Sequence, residues 1–209
     1  MVGGIKIEYP KLLVVEGKEE ERFFNAFIDH LGLKNIQIFP IGGKDNLGSN
    51  LRALVISPDF SKVILLGIIR DANSDPKAAF QSVCSALKAA ELPIPEKPWT
   101  LAGDRLKVGV IILPNASSSG ALEDLCLDAV QGDPAMACVE EYFRCLEQKK
   151  LSLPRHISKA KVQVFLASRD RAGLRLGEAA KAGYLPWDAE AFKQIKYFLE
   201  HIGLLNVSA

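Results

Sequence analysis

Four short apolar segments along the chain alternate with segments of helical periodicity. The apolar segments are rich in β-branched residues and end at turns or acids, which predicts buried strands over residues 11–15, 35–41, 63–70 and 107–113. Apolar residues recur at three- and four-residue spacing between them, which predicts helices over residues 19–31, 45–56 and 77–91. Strands that alternate with helices predict an α/β domain with a mainly parallel sheet of about four strands.

The pattern changes after Pro114, beyond which helical periodicity dominates. It predicts helices over residues 118–129, 133–150 and 189–202. The short apolar segment 162–167 is predicted as a last strand. We therefore expect an α/β core over residues 1–116 and a mostly helical extension over residues 117–209, packed on the core within the same domain.

The composition is that of an ordinary packed protein. The chain has 209 residues, of which 48% are hydrophobic and 24% charged, so a sizeable core is expected. No apolar run approaches the ~18 residues of a membrane span, and the first residues lack a secretory signal pattern, so we expect a cytoplasmic protein without membrane contact. The four cysteines form no CxxC pair, which argues against zinc and predicts buried, reduced thiols.

Charge is unevenly distributed along the chain, although the net charge is only +1. Residues 115–147 contain seven acids and one base, whereas residues 149–181 contain nine Lys or Arg residues and two acids. A basic block of this kind is either a binding surface for a phosphate backbone or a solvated helical surface.

Acidic residues follow two of the predicted strands. Glu16 ends the first strand, and Asp71, Asn73 and Asp75 follow the third at two-residue spacing. If these strands are parallel neighbours, their carboxyl ends lie at one edge of the sheet, where ligands bind in open α/β sheets. Glu20 lies one helical turn after Glu16 and can lean back to that edge. Gathered carboxylates raise one another's pKa, and a divalent cation such as Mg²⁺ removes that cost.

The segments VVEGKEEERFF and RDANSD resemble the two motifs of the toprim domain. That domain is shared by type IA and type II topoisomerases, primases, small ribosomal-RNA maturation nucleases and the overcoming-lysogenization-defect (OLD) nucleases. The first segment is especially similar to the opening motif of the OLD group and of small toprim-like proteins of bacteria and archaea. The resemblance covers about the first half of the chain. It implies a Rossmann-like toprim core, phosphoryl-transfer chemistry and a Mg²⁺ or Mn²⁺ cofactor.

The resemblance also implies a role for each matched residue. Glu16 takes the place of the glutamate that acts as general base or acid, and Asp71 that of the first aspartate of the metal motif, so these two are the candidate catalytic residues. The implied metal ligands are Glu16, Glu20, Asp71, Asn73, Asp75 and Glu123.

The motif departs from the family at Asn73, where an aspartate is usual. An amide oxygen can bind Mg²⁺ but brings no charge to hold it. A purely structural interpretation also exists, in which Asp75 caps the helix after Pro76 and Asn73 forms a turn. That interpretation explains Asp75 well and Asp71 poorly.

Three lysines are candidates for binding phosphate. Lys44 follows a Gly-Gly loop, which could equally be a plain turn, while Lys159 and Lys161 lie in the basic block.

The sequence thus predicts a Mg²⁺- or Mn²⁺-dependent nuclease that acts on DNA or RNA. The alternative is a non-catalytic toprim-like module that binds nucleic acid or a nucleotide, as a homodimer or with a partner protein. A receiver-like pocket that accepts phosphate on Asp71 is a weaker third hypothesis, because the accompanying lysine and threonine positions are not evident.

Overall fold

The chain folds around one β-sheet with helices on both sides. The computed structural model describes residues 6–203, except for the side chains at positions 44 and 203. The strands are β1 (Lys11–Val15), β2 (Ile36–Pro40), β3 (Leu65–Asp71), β4 (Leu101–Ala102) and β5 (Lys107–Leu113). The helices are α1 (Lys18–His30), α2 (Leu47–Val55), α3 (Pro76–Ala89), α4 (Leu122–Ala129), α5 (Ala135–Gln148), α6 (Ile157–Ala167), α7 (Leu176–Lys181) and α8 (Lys193–Gly203). Short 3₁₀ helices span Lys44–Asn46, Pro58–Lys62 and Glu190–Phe192.

The sheet has the strand order β2-β1-β3-β5-β4. The first four strands in this order are parallel, and the two-residue β4 pairs antiparallel to β5. The carboxyl ends of β1, β3 and β5 therefore meet at one edge, with Asp71 paired to Leu113 in the register. The predicted α/β class, with a mainly parallel sheet and a helical C-terminal part, is confirmed; β4 and α7 were not predicted.

The two faces of the sheet pack against different helices. Leu65 and Ile69 point to the side covered by α1 and by α4 to α8, which we call the α1 face. Leu66 and Ile68 point to the side covered by α2 and α3, which we call the α3 face. This alternation follows from the two-residue period of a strand and explains why the strands are apolar throughout.

An aromatic cluster joins the C-terminal helices to α1. Phe27 stacks on Trp187 with ring centroids 4.7 Å apart, and Phe23 and Phe192 lie at the edges of this pair. Phe23, Phe27 and Phe192 are fully buried. Each such side chain buries roughly 150–250 Å² of surface, so this cluster is a major source of packing free energy.

The division of the chain at residue 116 into a core and an extension stays a prediction.

Two sequence predictions are wrong. Residues 162–167 belong to the helix α6, not to a strand, because Val162, Phe165 and Leu166 bury one helical face at spacings of three and four. A six-residue apolar run does not by itself distinguish this pattern from a buried strand. The four thiols are free, but only Cys126 is buried; Cys84 and Cys145 are half-buried and Cys138 is exposed.

Between residues 6 and 203, the fold includes no helix that is both long and apolar enough to span a membrane.

Helix α7 packs tightly against α1 at Gly177, and this packing predicts that a larger residue there lowers the stability of the fold. A Cβ atom added there would lie 2.5 Å from Arg22 Cβ and 2.9 Å from the Glu19 carbonyl oxygen, neither of which can move without shifting α1. Overpacking of this kind costs about 1–3 kcal/mol, against a gain of up to about 1 kcal/mol in helix propensity. We expect Gly177→Ala to lower the free energy of urea unfolding by about 1–2 kcal/mol.

Gly48 of α2 is the matched control, since an added Cβ would meet no atom within 4 Å. Gly48→Ala should leave stability unchanged or raise it by up to about 1 kcal/mol. Equal effects of the two substitutions would contradict the packing argument.

Candidate metal centre

Asp71 lies at the end of β3, at the edge of the sheet where the strands end. Its side chain turns to the α1 face, and its Oδ1 accepts a hydrogen bond from the backbone N–H of Leu122 at 3.1 Å. Burial raises the pKa of the Asp71 carboxyl to about 8, and the charges of Glu16, Glu20 and Glu123 add to the rise. The Leu122 hydrogen bond opposes it. The structure thus withdraws an acid from water and surrounds it with other acids.

Glu20 and Glu123 approach Asp71 from two helices. Glu20 lies in the first turn of α1, and Glu123 lies in the first turn of α4. Burial raises the pKa of Glu20, and the charges of Glu16 and Glu123 raise it further, against hydrogen bonds from the backbone of Glu20 and Gly17. Gly17 leaves room for this carboxylate, because a Cβ there would lie 3.1 Å from Glu20 Oε2.

Glu16 is paired with a cation that sequence reasoning missed. Val14 is opposite Ile68 in the register of β1 and β3, so Glu16 lies beside Arg70. Glu16 Oε1 is 3.2 Å from Arg70 Nε, and both side chains are largely buried. The contact is an ion pair and not a hydrogen bond, and Glu16 Oε1 and the Nε and Nη1 atoms of Arg70 are buried without a hydrogen-bond partner. The available sequence signal was a charged residue inside an otherwise apolar strand.

Asn73 links two loops through its backbone. It pairs with Gly120 in an isolated antiparallel bridge, in which each N–H donates to the other's carbonyl oxygen at 2.7 Å. Asn73 has a φ of 52° and Gly120 a φ of 134°. Asn and Asp are among the few residues other than Gly that adopt positive φ readily, so Asn73 suits this backbone conformation as the Asp of the toprim motif would. Its side chain lines the cavity beside Asp71.

Asp75 caps helix α3. Its Oδ1 accepts hydrogen bonds from the backbone N–H groups of Lys77 at 2.8 Å and Ala78 at 3.0 Å. The following Pro76 occupies the first helical position, where its missing N–H has no cost. The structural interpretation of Asp75 therefore holds, and Asp75 does not line the cavity around Asp71.

Asp124 fixes α6 beside the centre. Its Oδ2 accepts a hydrogen bond from the Ala121 N–H at 2.8 Å, and its Oδ1 accepts one from Ser158 Oγ at 2.5 Å. Gly120 is needed for this arrangement, since a Cβ there would lie 2.8 Å from Asp124 Oδ2. The start of α6 is thereby held against the start of α4.

Two neighbouring cavities meet at the carboxylates. One, of about 560 Å³, is lined by Asp71, Asn73, Glu123 and the segment that leads into α6, including Arg155, His156 and Lys159. The other, of about 390 Å³, is lined by Glu19, Glu123, Lys159, Arg175 and residues of α6. Because Glu123 and Lys159 line both, the two cavities form a groove that passes over Glu123 and is lined by both acidic and basic side chains.

The predicted phosphate-binding lysines differ in their surroundings. Lys159 is exposed and lines both cavities. Lys161 Nζ donates to both carboxylate oxygens of Glu140 at 2.7 Å and lies over the ring of Phe143, so it holds α6 to α5. The side chain of Lys44 lies outside the described part of the structure.

The side chains present fit a hard divalent cation. Mg²⁺ takes oxygen ligands and commonly binds through one or two carboxylates plus waters and phosphate oxygens. Asp71, Glu20 and Glu123 supply carboxyl groups on one face, and a bound cation would favour the ionised form of Asp71, whose pKa is raised to about 8 by burial and by the neighbouring acids. Within residues 6–203, no three His, Cys, Asp or Glu side chains are already gathered at the spacing of a complete metal site.

Comparison with known proteins gives a family and a fold. The family described as "Protein of unknown function (DUF3226)" matches residues 10–204. No curated protein sequence matches the chain significantly. The structure is similar to the C-terminal region of the Burkholderia pseudomallei OLD protein over 93% of this chain and 98% of that chain, with 14% identity and a TM-score of 0.50. The C-terminal region of the Xanthomonas campestris pv. campestris OLD protein matches over 95% and 96%, with 19% identity and a TM-score of 0.47. The expected likeness to the OLD group is confirmed at the level of the fold.

The raised pKa of Asp71 predicts how stability depends on pH. The folded protein keeps the Asp71 proton up to a pH of about 8, whereas the unfolded chain releases it near its ordinary pKa of 3.8. Between these values the folded state binds more protons, so this group's contribution to stability is lost as pH rises. Asp71→Asn keeps an oxygen for the Leu122 N–H and cannot ionise. We expect it to be more stable than the wild type at pH 8 in EDTA, by on the order of a few kcal/mol, and by much less at pH 5.

Urea unfolding of both proteins at the two pH values measures this difference. Asp170→Asn, which alters an exposed carboxyl group, serves as the control and should show the same stability difference from wild type at both pH values. A variant Asp71→Asn that is no more stable than the wild type at pH 8 would show that the Asp71 carboxyl is not desolvated as described.

Proposed function

This chain belongs to the family described as "Protein of unknown function (DUF3226)", and we propose that it is a toprim-like, Mg²⁺- or Mn²⁺-dependent nuclease acting on DNA or RNA. The observation that carries this proposal is the buried carboxyl group of Asp71, with its pKa of about 8 and three further acids around it. Asp71, Glu20 and Glu123 would hold the ion.

The energetics support a binding role for these acids. Burying an acid beside other acids destabilises the folded protein, and an amide or apolar side chain at position 71 would avoid that cost. Strongly perturbed acids in a cleft at the carboxyl edge of a parallel sheet are typical of functional sites. The Leu122 hydrogen bond accounts for only one of the two Asp71 oxygens, which leaves Oδ2 free for a cation.

The remaining groups of the centre divide between substrate binding and proton transfer. A bound divalent ion would neutralise charge on a phosphoryl group and activate water. Lys159 and Arg155 line the cavity beside Asp71 and would contact phosphate oxygens of the substrate. Glu16 is the candidate general base, with Oε2 as the proton acceptor because Oε1 faces Arg70.

A non-catalytic binding module is the second candidate function. Two residues of the RDANSD motif have structural roles, since Asn73 bridges to Gly120 and Asp75 caps α3. The acid set around Asp71 is correspondingly smaller than the toprim motif implies. Metal and nucleic-acid binding without cleavage would identify this alternative.

Metal dependence is the first test of the proposal. Ion binding at roughly 100 times the dissociation constant stabilises by about 2.7 kcal/mol, which for a chain of this size raises Tm by about 5–10 °C. We expect Mn²⁺ or Mg²⁺ to raise the Tm of the wild type and not that of Asp71→Asn. Cleavage of plasmid DNA, single-stranded DNA and RNA should fall by more than about 100-fold in Asp71→Asn, Glu20→Gln and Glu123→Gln.

Glu140→Gln is the matched control for these variants, because it makes the same chemical change at the Lys161 ion pair on α5. It should keep both the metal-induced shift in Tm and any cleavage. A wild type whose Tm does not respond to either ion would contradict both the nuclease and the metal-dependent binding module.

The two lysines of α6 allow a paired test of nucleic-acid binding. Lys159→Met should weaken binding of a fluorescein-labelled single-stranded oligonucleotide and reduce the slope of log K against log salt concentration by about 1, as loss of one phosphate contact does. Lys161→Met should leave that slope unchanged, since Lys161 is paired with Glu140. Fluorescence anisotropy in EDTA measures both. Equal slopes for Lys159→Met and the wild type would exclude Lys159 from the binding groove.

A further inference from the structure

Arg70 is a buried cation inside the strand that carries the metal centre. It is only 8% exposed, although it lies in the apolar strand β3 one residue before Asp71. Its Nε is 3.2 Å from Glu16 Oε1, and its Nη1 is buried without a hydrogen-bond partner. A guanidinium stays charged under all ordinary conditions, so Arg70 places a fixed positive charge beside Glu16.

The alternation of side chains along the strands separates the acids into two groups. Asp71 follows Leu65 and Ile69 on the α1 face, where α1 and α4 also place Glu20 and Glu123. Arg70 follows Leu66 and Ile68 on the α3 face, and the same alternation in β1 takes Glu16 to that face. The charge of Glu16 still reaches Asp71 and raises its pKa, so the two groups are neighbours across the edge of the sheet.

We propose that this centre binds a single divalent cation through Asp71, Glu20 and Glu123, and that Arg70 takes the place beside Glu16 that a second cation would need. The inference rests on the proposed metal centre and specifies its stoichiometry. Arg70 is here a positioning residue, which acts through Glu16.

Electrostatics favour this arrangement. Paired ions in two-metal sites lie roughly 3.5–4 Å apart and share or adjoin carboxylate ligands. A second dication on Glu16 would bind Oε2 at about 2.1 Å, while Oε1 of the same carboxylate lies 3.2 Å from Arg70 Nε. It would therefore meet a positive charge at short range in a site with little water to screen it.

Asn73 and Asp75, the other two positions of the toprim metal motif, offer no substitute ligands for a second ion. Asn73 carries no charge, and its backbone is held by the bridge to Gly120. Asp75 Oδ1 accepts two backbone hydrogen bonds at the start of α3. The positions that would add negative charge next to Asp71 are thus neutral or engaged, which agrees with a single ion.

Titration of the wild-type protein with Mn²⁺ tests the stoichiometry. Isothermal titration calorimetry should give one ion per chain, and electron paramagnetic resonance should show an isolated Mn²⁺ without the exchange-coupled signal of an ion pair. Two bound ions with coupling would overturn this inference and leave the proposed metal centre standing. Failure to bind any Mn²⁺ would overturn both.

Substitution of Arg70 tests its part in the arrangement. Arg70→Met removes the charge and keeps most of the side-chain length, so it should raise the stoichiometry to two ions and produce the coupled signal. Adding Glu16→Gln to this variant should return the stoichiometry to one. Arg70→Lys retains a positive charge and should bind one ion, which also distinguishes a loss of charge from a loss of packing.

Arg169→Met is the matched control, because it breaks another partly buried ion pair, with Asp133, away from the carboxylates. It should bind one ion, as the wild type does. If Arg70→Met is folded by circular dichroism and still binds one ion, Arg70 does not exclude a second cation and its proposed role is wrong. If Arg70→Met does not fold, two ions bound to Arg70→Lys would contradict the role equally.

Discussion

The carboxyl group of Asp71 is buried among other acids, and much of the structure around it is explained by that constraint. An ionised carboxylate withdrawn from water needs compensation from hydrogen bonds or positive charge. The protein supplies the Leu122 N–H at the start of α4, where the helix dipole also favours an anion. This compensation is incomplete, because the pKa of Asp71 stays near 8. A bound cation would offset the remaining free-energy cost of ionising the buried Asp71 carboxyl.

Loop geometry at the edge of the sheet brings the other groups to Asp71. The bridge between Asn73 and Gly120 ties the loop after β3 to the loop before α4, and therefore sets where α4 starts. Asp124, in the first turn of α4, then holds Ser158 of α6. One chain of short-range contacts thus determines the positions of Glu123 and Lys159 relative to Asp71. Strain at the positive φ angles of Asn73 and Gly120 is small, because their residue types tolerate it.

Sequence patterns predicted the sheet well, because strands buried on both faces leave continuous apolar runs and their acidic ends stand out. The same reasoning failed for residues 162–167, where a buried helical turn and a buried strand have the same short apolar run. The α6 surface was predicted only as a basic block, since periodicity does not reveal that Lys161 is paired with Glu140 while Lys159 lines the cavities.

The link between Glu16 and Arg70 was missed for a different reason. It depends on the register of β1 against β3, which puts residues distant in sequence side by side. The toprim motif is defined by the acids of RDANSD and does not include the arginine before them, Arg70. Likewise, the departure at Asn73 looks like a lost ligand in the sequence, whereas the structure gives it a backbone function through its positive φ.

Charge balance around the centre connects these features. Four carboxylates, those of Glu16, Glu20, Asp71 and Glu123, lie close enough to influence one another. Arg70 offsets Glu16 on the α3 face and cannot leave, because it is part of a central strand and its charge is permanent. Lys159 is exposed at the rim of the groove, where water and salt screen its charge and its flexible stem follows a ligand. The carboxyl groups on the α1 face are therefore the part of the cluster without a compensating positive charge. A divalent ion and a phosphate group would bind together there, between the buried charge of Arg70 and the exposed charge of Lys159.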